Sequence, residues 1–259
     1  MTTKNLLTRM KGYEEASRMI LPGRSPVILR LDGKSFSTYT RSLGTFNHSF
    51  AWLMKETAVA VCKHIQGATF AYTQSDEISI LIHSYKKLNS EPWFENCVQK
   101  MVSVSSSIAA VTFTLGSPQL FKDVLAEPRA EDARPAYFDA RVFVVPENDV
   151  VNYFVWRQQD ATRNAMSMWA RSLFSAKEIH GKNWQQMREM CETRGVKWDA
   201  LSPQFTRGTG ISRVDGHWTI DDETPLFTTN RDYIARHLEL EEGLREAVLR
   251  PTRWPTYYP

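Results

Sequence analysis

Cysteine is scarce in this chain: three in 259 residues, Cys62, Cys97 and Cys191, far apart and odd in number. No CxxC or Cys/His pairing occurs, and the six histidines show neither HxH nor HxxxH spacing. A disulfide framework and a zinc site are both excluded, and the expected compartment is reducing and cytoplasmic. Long apolar runs are missing too. No stretch approaches the roughly 20 residues that cross a bilayer, so neither a spanning helix nor a membrane partner is expected. The first residues, "MTTKNLLTRMKGYEEASRM", scatter Lys and Arg and lack the apolar centre of a secretory signal. Internal repeats and low-complexity blocks are absent, which excludes repeat architectures.

What is present suffices for a sizeable core, with 42% hydrophobic and 24% charged residues. A net charge of +3 permits a polyanionic partner without requiring one. "SPVILRLDGKSF" reads as a buried strand closed by the turn Asp32-Gly33. Asn47 to about Ile65 has apolar residues at helical spacing behind a capping Asn. "ATFAYTQ" and "EISILIH" form a hairpin of half-buried strands across Ser75 and Asp76. A long helix from Pro92, a Pro- and charge-rich loop from Gly116, and the strand "DARVFVVP" complete β-α-β-β-α-β, the split βαβ or ferredoxin-like pattern. The fold class is therefore α+β: an antiparallel palm-like domain over residues 22–147, with a mainly helical extension over 148–259. The tail "RPTRWPTYYP" is expected to be extended.

The topology gathers chemistry at one place. In a split βαβ sheet the first strand ends at the edge where the hairpin turns, next to the third strand. Asp32, Asp76 and Glu77 then converge there. Taken singly, Asp32-Gly33 is a turn and Asp76 a cap; together, three close carboxylates raise one another's pKa unless a cation compensates. Mg²⁺ takes oxygen ligands and promotes phosphoryl transfer, and "GKSF" offers successive N–H groups to a polyphosphate.

The motifs "RLDGKSF" and "AYTQSDEISILI", followed by "DARVFVVP" and "VVNYFVWRQQDATRNA", resemble the tRNA-His guanylyltransferase family, in order from about Arg30 to about Arg213. The resemblance implies a polymerase- or cyclase-like palm with two Mg²⁺ ions, held by Asp32, Asp76 and the Gly33 carbonyl, with Glu77 as a neighbouring essential acid. It implies a triphosphate-binding turn of Gly33, Lys34, Ser35, Phe36 and Ser37, with Ser75 beside it. Lys100 and Lys34 are candidate triphosphate cations. Arg157, Arg163, Asn164 and Arg171, on the polar face of the helix after Pro146, are candidate tRNA contacts; Lys197, Arg207 and Arg213 are weaker ones. Phe154, Ala161, Ala165, Met168 and Leu173 are expected on that helix's apolar face, and Trp52, Trp156 and Trp169 in the core. ATP or GTP would serve as activating and substrate nucleotides, and the family likeness implies a homotetramer. Two departures matter: "TRNAMS" at Thr162–Ser167 stands where eukaryotic members carry HINNLY, and Ser37 stands in place of a His. The first points to the branch that repairs truncated 5′ ends by 3′–5′ addition. A dedicated tRNA-His guanylyltransferase, a nucleotide cyclase and a non-catalytic RNA-binding palm are the competing readings.

Overall fold

A computed structural model describes residues 5–85, 90–122, 127, 129 and 133–238; the expected extended tail lies outside them. Four strands form the palm: β1 (Val27–Gly33), β2 (Ala68–Gln74), β3 (Glu77–Ile82) and β4 (Phe138–Val144). Their order is β4-β1-β3-β2 and every pairing is antiparallel, as the split βαβ pattern requires. Alternation sends Leu29, Leu31, Ile78 and Ile80 to one face, under helices α3 (His48–His64) and α4 (Val98–Leu120). Ile28, Leu81, Phe70 and Tyr72 go to the other, under α5 (Glu147–Leu173). All six β3 positions are buried, so β3 is a central strand and not the half-buried one its pattern predicts. Each such aliphatic side chain contributes about 1.5–3 kcal/mol of burial free energy.

Two further helices and both ends of a third differ from expectation. A short helix, α1 (Leu6–Glu15), precedes the palm, and α2 (Phe36–Tyr39) is a single turn after β1. Helix α4 begins at Val98 and not at Pro92, because Phe94, Glu95 and Asn96 adopt left-handed backbone angles in an intervening 3-10 turn. It runs on to Leu120 with Pro118 in its last turn, where the loop was expected from Gly116. By length and composition α4 is long and apolar enough to cross a bilayer, which corrects the reading that no such segment exists. In this fold it lies on the sheet through Met101, Ala109 and Phe113.

The largest departure lies in the extension expected to be mainly helical. "TGISRV" and "HWTID" are strands, β5 (Thr209–Val214) and β6 (His217–Asp221), and β5 pairs with β2. The sheet therefore has six strands, and the chain after residue 147 both extends it and covers it. Helix α5 ties the two halves. Gln158 Nε2 donates to the Pro225 carbonyl (2.9 Å), its Oε1 accepts from the Phe227 N–H (2.8 Å), and Thr162 donates to the Thr206 carbonyl (2.8 Å). Gly208, at φ +74°, meets the Tyr72 ring so closely that a Cβ would sit 2.5 Å from the hydroxyl. Past the sheet, α5 packs on α7 (Trp184–Glu192), beyond the single turn α6 (Ala176–Ile179).

Candidate active site

The predicted edge forms. Asp32 ends β1 opposite Glu77 on β3, and the Gly33 N–H donates to the Asp76 carbonyl (3.0 Å). That bond locks the β1 terminus to the Ser75-Asp76 turn, where Ser75 takes φ +48° and its hydroxyl donates to Asp76 Oδ1 (3.0 Å). Burial, and to a lesser degree the Asp32 charge, raise the Asp76 carboxyl above its ordinary range; the Ser75 hydrogen bond and Arg30 oppose this. Both carboxylates remain partly open to solvent.

The turn after Asp32 is held from beneath. Phe36 is 3% exposed and packs against Tyr39, Phe50, Phe113 and Phe138. A Cβ on Gly33 would meet the Phe36 ring at 2.5 Å, so only glycine lets β1 pass over this anchor. The Phe36 side chain is thus a core residue, and it is the backbone N–H that faces the turn. The run of free N–H groups is also shorter than expected. Gly33 donates to Asp76 and Lys34 to the Tyr137 carbonyl (2.8 Å). The N–H groups of Ser35, Phe36 and Ser37 have no acceptor among the described residues, and the Lys34, Ser35 and Ser37 side chains are exposed.

Glu77 does not join the open pair. It is 3% exposed, and the Arg157 guanidinium grips it from α5 through Nε to Oε1 (2.8 Å) and Nη2 to Oε2 (2.9 Å). Arg30 Nη2 adds a third contact to Oε2 at 2.6 Å and reaches Asp32 Oδ2 at 3.9 Å. Burial raises the Glu77 carboxyl above its ordinary range, and Arg157 and Arg30 oppose this without cancelling it. For Arg157, burial opposes the charge, yet Glu77 and Asp160 outweigh it and raise the pKa. The expected three-carboxylate cluster is therefore a pair plus a buried ion-pair hub. Among the described residues no group of three His, Cys, Asp or Glu side chains could hold a metal. Asp32 and Asp76 nevertheless suit a hard divalent cation: a positive charge between them would offset the burial and repulsion that hold the Asp76 pKa up.

Arg157 was expected to meet RNA. At 2% exposure, with both ends of its fork on Glu77 and one Nη2 also on Asp160 (2.6 Å), it is a core clamp and cannot reach a phosphate. Arg163 pairs with the other Asp160 oxygen from the helix surface; Asn164 and Arg171 are exposed. Met168 and Leu173 are exposed as well, because the inner face of α5 runs instead through Phe154, Arg157, Ala161, Ala165 and Trp169. Trp52 and Trp156 are about half exposed; of the three tryptophans expected in the core, only Trp169 is there. Lys100 is at the wrong end of α4. Phe113, thirteen residues later, touches Phe36, so Lys100 lies about 20 Å down the helix from the site. Arg213 lies over the Trp218 ring (5.5 Å), the Arg207 carbonyl accepts from the Tyr72 hydroxyl (2.6 Å), and Lys197 is exposed.

Two site neighbours were missed. Asp139 and Arg141 on β4 stand opposite Asp32 and Arg30, are both exposed, and pair with each other (3.3 Å). Aligning "DAR" antiparallel to "RLD" would have revealed them.

The sheet topology, with carboxylates at the open edge, is that of the palm-fold proteins. The family model for tRNAHis guanylyltransferase matches residues 7–146, more than half of the chain. A bacterial tRNA(His) guanylyltransferase-like protein solved in complex with ATP superposes with a TM-score of 0.83 at 39% identity, over 91% of this chain and 100% of its own. The chain belongs to the tRNAHis guanylyltransferase family. A probable tRNA(His) guanylyltransferase of Dictyostelium discoideum is 25% identical over 251 residues, 89% of this chain and 91% of that one. An uncharacterized protein of Acanthamoeba polyphaga mimivirus is 28% identical over 210 residues, 74% and 72% of the two chains. The Saccharomyces cerevisiae tRNA(His) guanylyltransferase, at 19% identity and a TM-score of 0.64, shares the fold.

Proposed function

We propose that this protein adds nucleotides in the 3′–5′ direction to the 5′ end of tRNA, choosing each by pairing with the opposite strand, and so repairs truncated ends. The observation that carries this reading is the joining of Asp32 and Asp76 through the Gly33–Asp76 hydrogen bond, beside a turn with three N–H groups that have no acceptor among the described residues. Mg²⁺ ions at Asp32, Asp76 and the Gly33 carbonyl would sharpen an attacking hydroxyl and stabilise the leaving oxygen. The chain's own part is positioning. The N–H groups of Ser35, Phe36 and Ser37, with the Lys34 ammonium and the Ser75 hydroxyl, hold the triphosphate so that the sugar end faces the carboxylates. The 3′-hydroxyl of the incoming nucleotide then attacks the activated 5′ α-phosphate. One P–O bond forms, and AMP or pyrophosphate leaves. Complexes of bacterial relatives with ATP and with GTP support both nucleotides as ligands.

"TRNAMS" at Thr162–Ser167 supports template-directed repair over tRNA-His guanylylation. Labelled NTPs supplied with a 5′-truncated tRNA should yield products filled by Watson–Crick matches, for several tRNA species. A single G added to full-length tRNA-His, with truncated tRNAs ignored, would overturn the repair reading.

A further inference from the structure

In the run Trp156-Arg157-Gln158 two side chains have structural tasks: Arg157 clamps Glu77, and Gln158 fastens the Pro225–Phe227 segment. Trp156 has none of that kind. It is 49% exposed, although indole is among the costliest surfaces to leave in water.

Its position is fixed all the same. The Arg157 guanidinium carbon lies 4.3 Å from the Trp156 ring centroid, and the same guanidinium is fastened to Glu77, the cross-strand partner of Asp32. The Tyr153 ring braces the indole edge-on at 5.9 Å, and Tyr153 is itself held by the Ser79 hydroxyl (3.0 Å) and the Phe143 ring (5.7 Å). The indole is thus half bare and rigidly seated. Tyr153 meets β4 through Phe143, so the helical stripe carrying Trp156, Asp160 and Arg163 flanks the β1–β4 side of the sheet. There Asp32, Asp139 and Arg141 reach solvent. A fixed aromatic surface costs little entropy when a flat partner covers it.

We propose that Trp156 is a stacking platform for a nucleobase at the reacting end, belonging either to the RNA terminus or to the incoming nucleotide. This rests on the nucleotidyl-transfer reading above and adds a specificity-determining contact to it. Nucleobases present a π-face whatever their identity, so such a platform orients without choosing, and choice is left to pairing. That division suits a template-directed enzyme.

The test uses 2-aminopurine, whose fluorescence falls on stacking, in two arms with the full-length protein: as the 5′-terminal nucleotide of a tRNA, and as free 2-aminopurine riboside triphosphate. Wild type should quench one arm, and that arm identifies the source of the base. Trp156→Leu keeps an apolar cover over Arg157 but removes the π-face, and should lose the quenching and bind that ligand about tenfold or more weakly. Trp156→Phe should recover most of both. Thermal melts of the variants separate a missing cover from missing stacking. No quenching in either arm with wild type, or a Leu variant equal to wild type or to Phe, would overturn the proposal. Failure of the repair reading would show instead as absent nucleotide addition by wild type, which these binding measurements do not require.

Discussion

Asp76 and Glu77 are adjacent in sequence and opposite in fate. Asp76 sits in a turn where burial outweighs the groups that favour its charge, its own backbone N–H, the Ser75 hydroxyl and Arg30, and the Asp32 charge adds to the burial. Glu77, one residue on, points into the sheet and meets two guanidiniums and the Ser79 hydroxyl. The first arrangement stores unmet charge at an accessible edge; the second neutralises charge inside the protein. A carboxylate at an open edge is available for chemistry, and one enclosed by two guanidiniums is available only for architecture.

The comparison breaks most sharply through activity. Asp32→Ala and Asp76→Ala should each abolish nucleotide addition with circular dichroism close to wild type and no loss of thermal stability. Ordinary turnover in either variant would remove these residues from the site.

Stability gives the next largest effect. Arg157→Met leaves Glu77 with Arg30 alone in a buried place. Breaking such a pair costs about 3–5 kcal/mol, and protonation of Glu77 should hold the loss near the lower figure. Urea unfolding should show a lower midpoint at unchanged slope. A midpoint equal to wild type would mean that the hub is not what fastens α5 to the sheet.

Asp76 should behave in the reverse sense. Its carboxyl is raised in the folded protein, chiefly by burial, so it keeps its proton at pH values where the unfolded chain has lost it. Its favourable contribution is present below the unfolded pKa and is lost as pH rises through the folded one. Asp76→Asn should therefore melt higher than wild type at neutral pH without divalent cations, and the gap should close as pH falls toward about 4. A gap that does not vary with pH would assign the effect to something other than charge.

The smallest effect belongs to the helix surface. With Arg157 withdrawn into the core, Arg163 and Arg171 carry the exposed charge of that stripe. Arg171→Glu should lower the log–log salt slope of tRNA binding by roughly one for each phosphate left unneutralised, with NTP binding unchanged. An unaltered slope would make Arg171 an ordinary solvated residue.

Local patterns read correctly where the signal itself is local. The strand at "EISILI", the Asn47 cap, whose side chain accepts from the Phe50 N–H, and the 27-residue span of α5 appear as expected, while the faces that the strand and the helix bury do not. The β5–β6 hairpin was missed because Gly208 and Gly210 dilute its alternation; its pairing to β2 is a long-range event. Arg157 was assigned to the outer face because helical periodicity counts charge as polar, and periodicity cannot see a buried counter-charge 80 residues away.

The sequence by itself determined the order of the palm elements, their antiparallel arrangement, and the meeting of Asp32 with the Ser75-Asp76 turn. Those follow from period, turn chemistry and connection rules, which act over a few residues at a time. Only the tertiary structure decided which acid stays open, which arginine is withdrawn, and which tryptophan remains bare. These are outcomes of desolvation, and the desolvation of a side chain depends on everything packed around it.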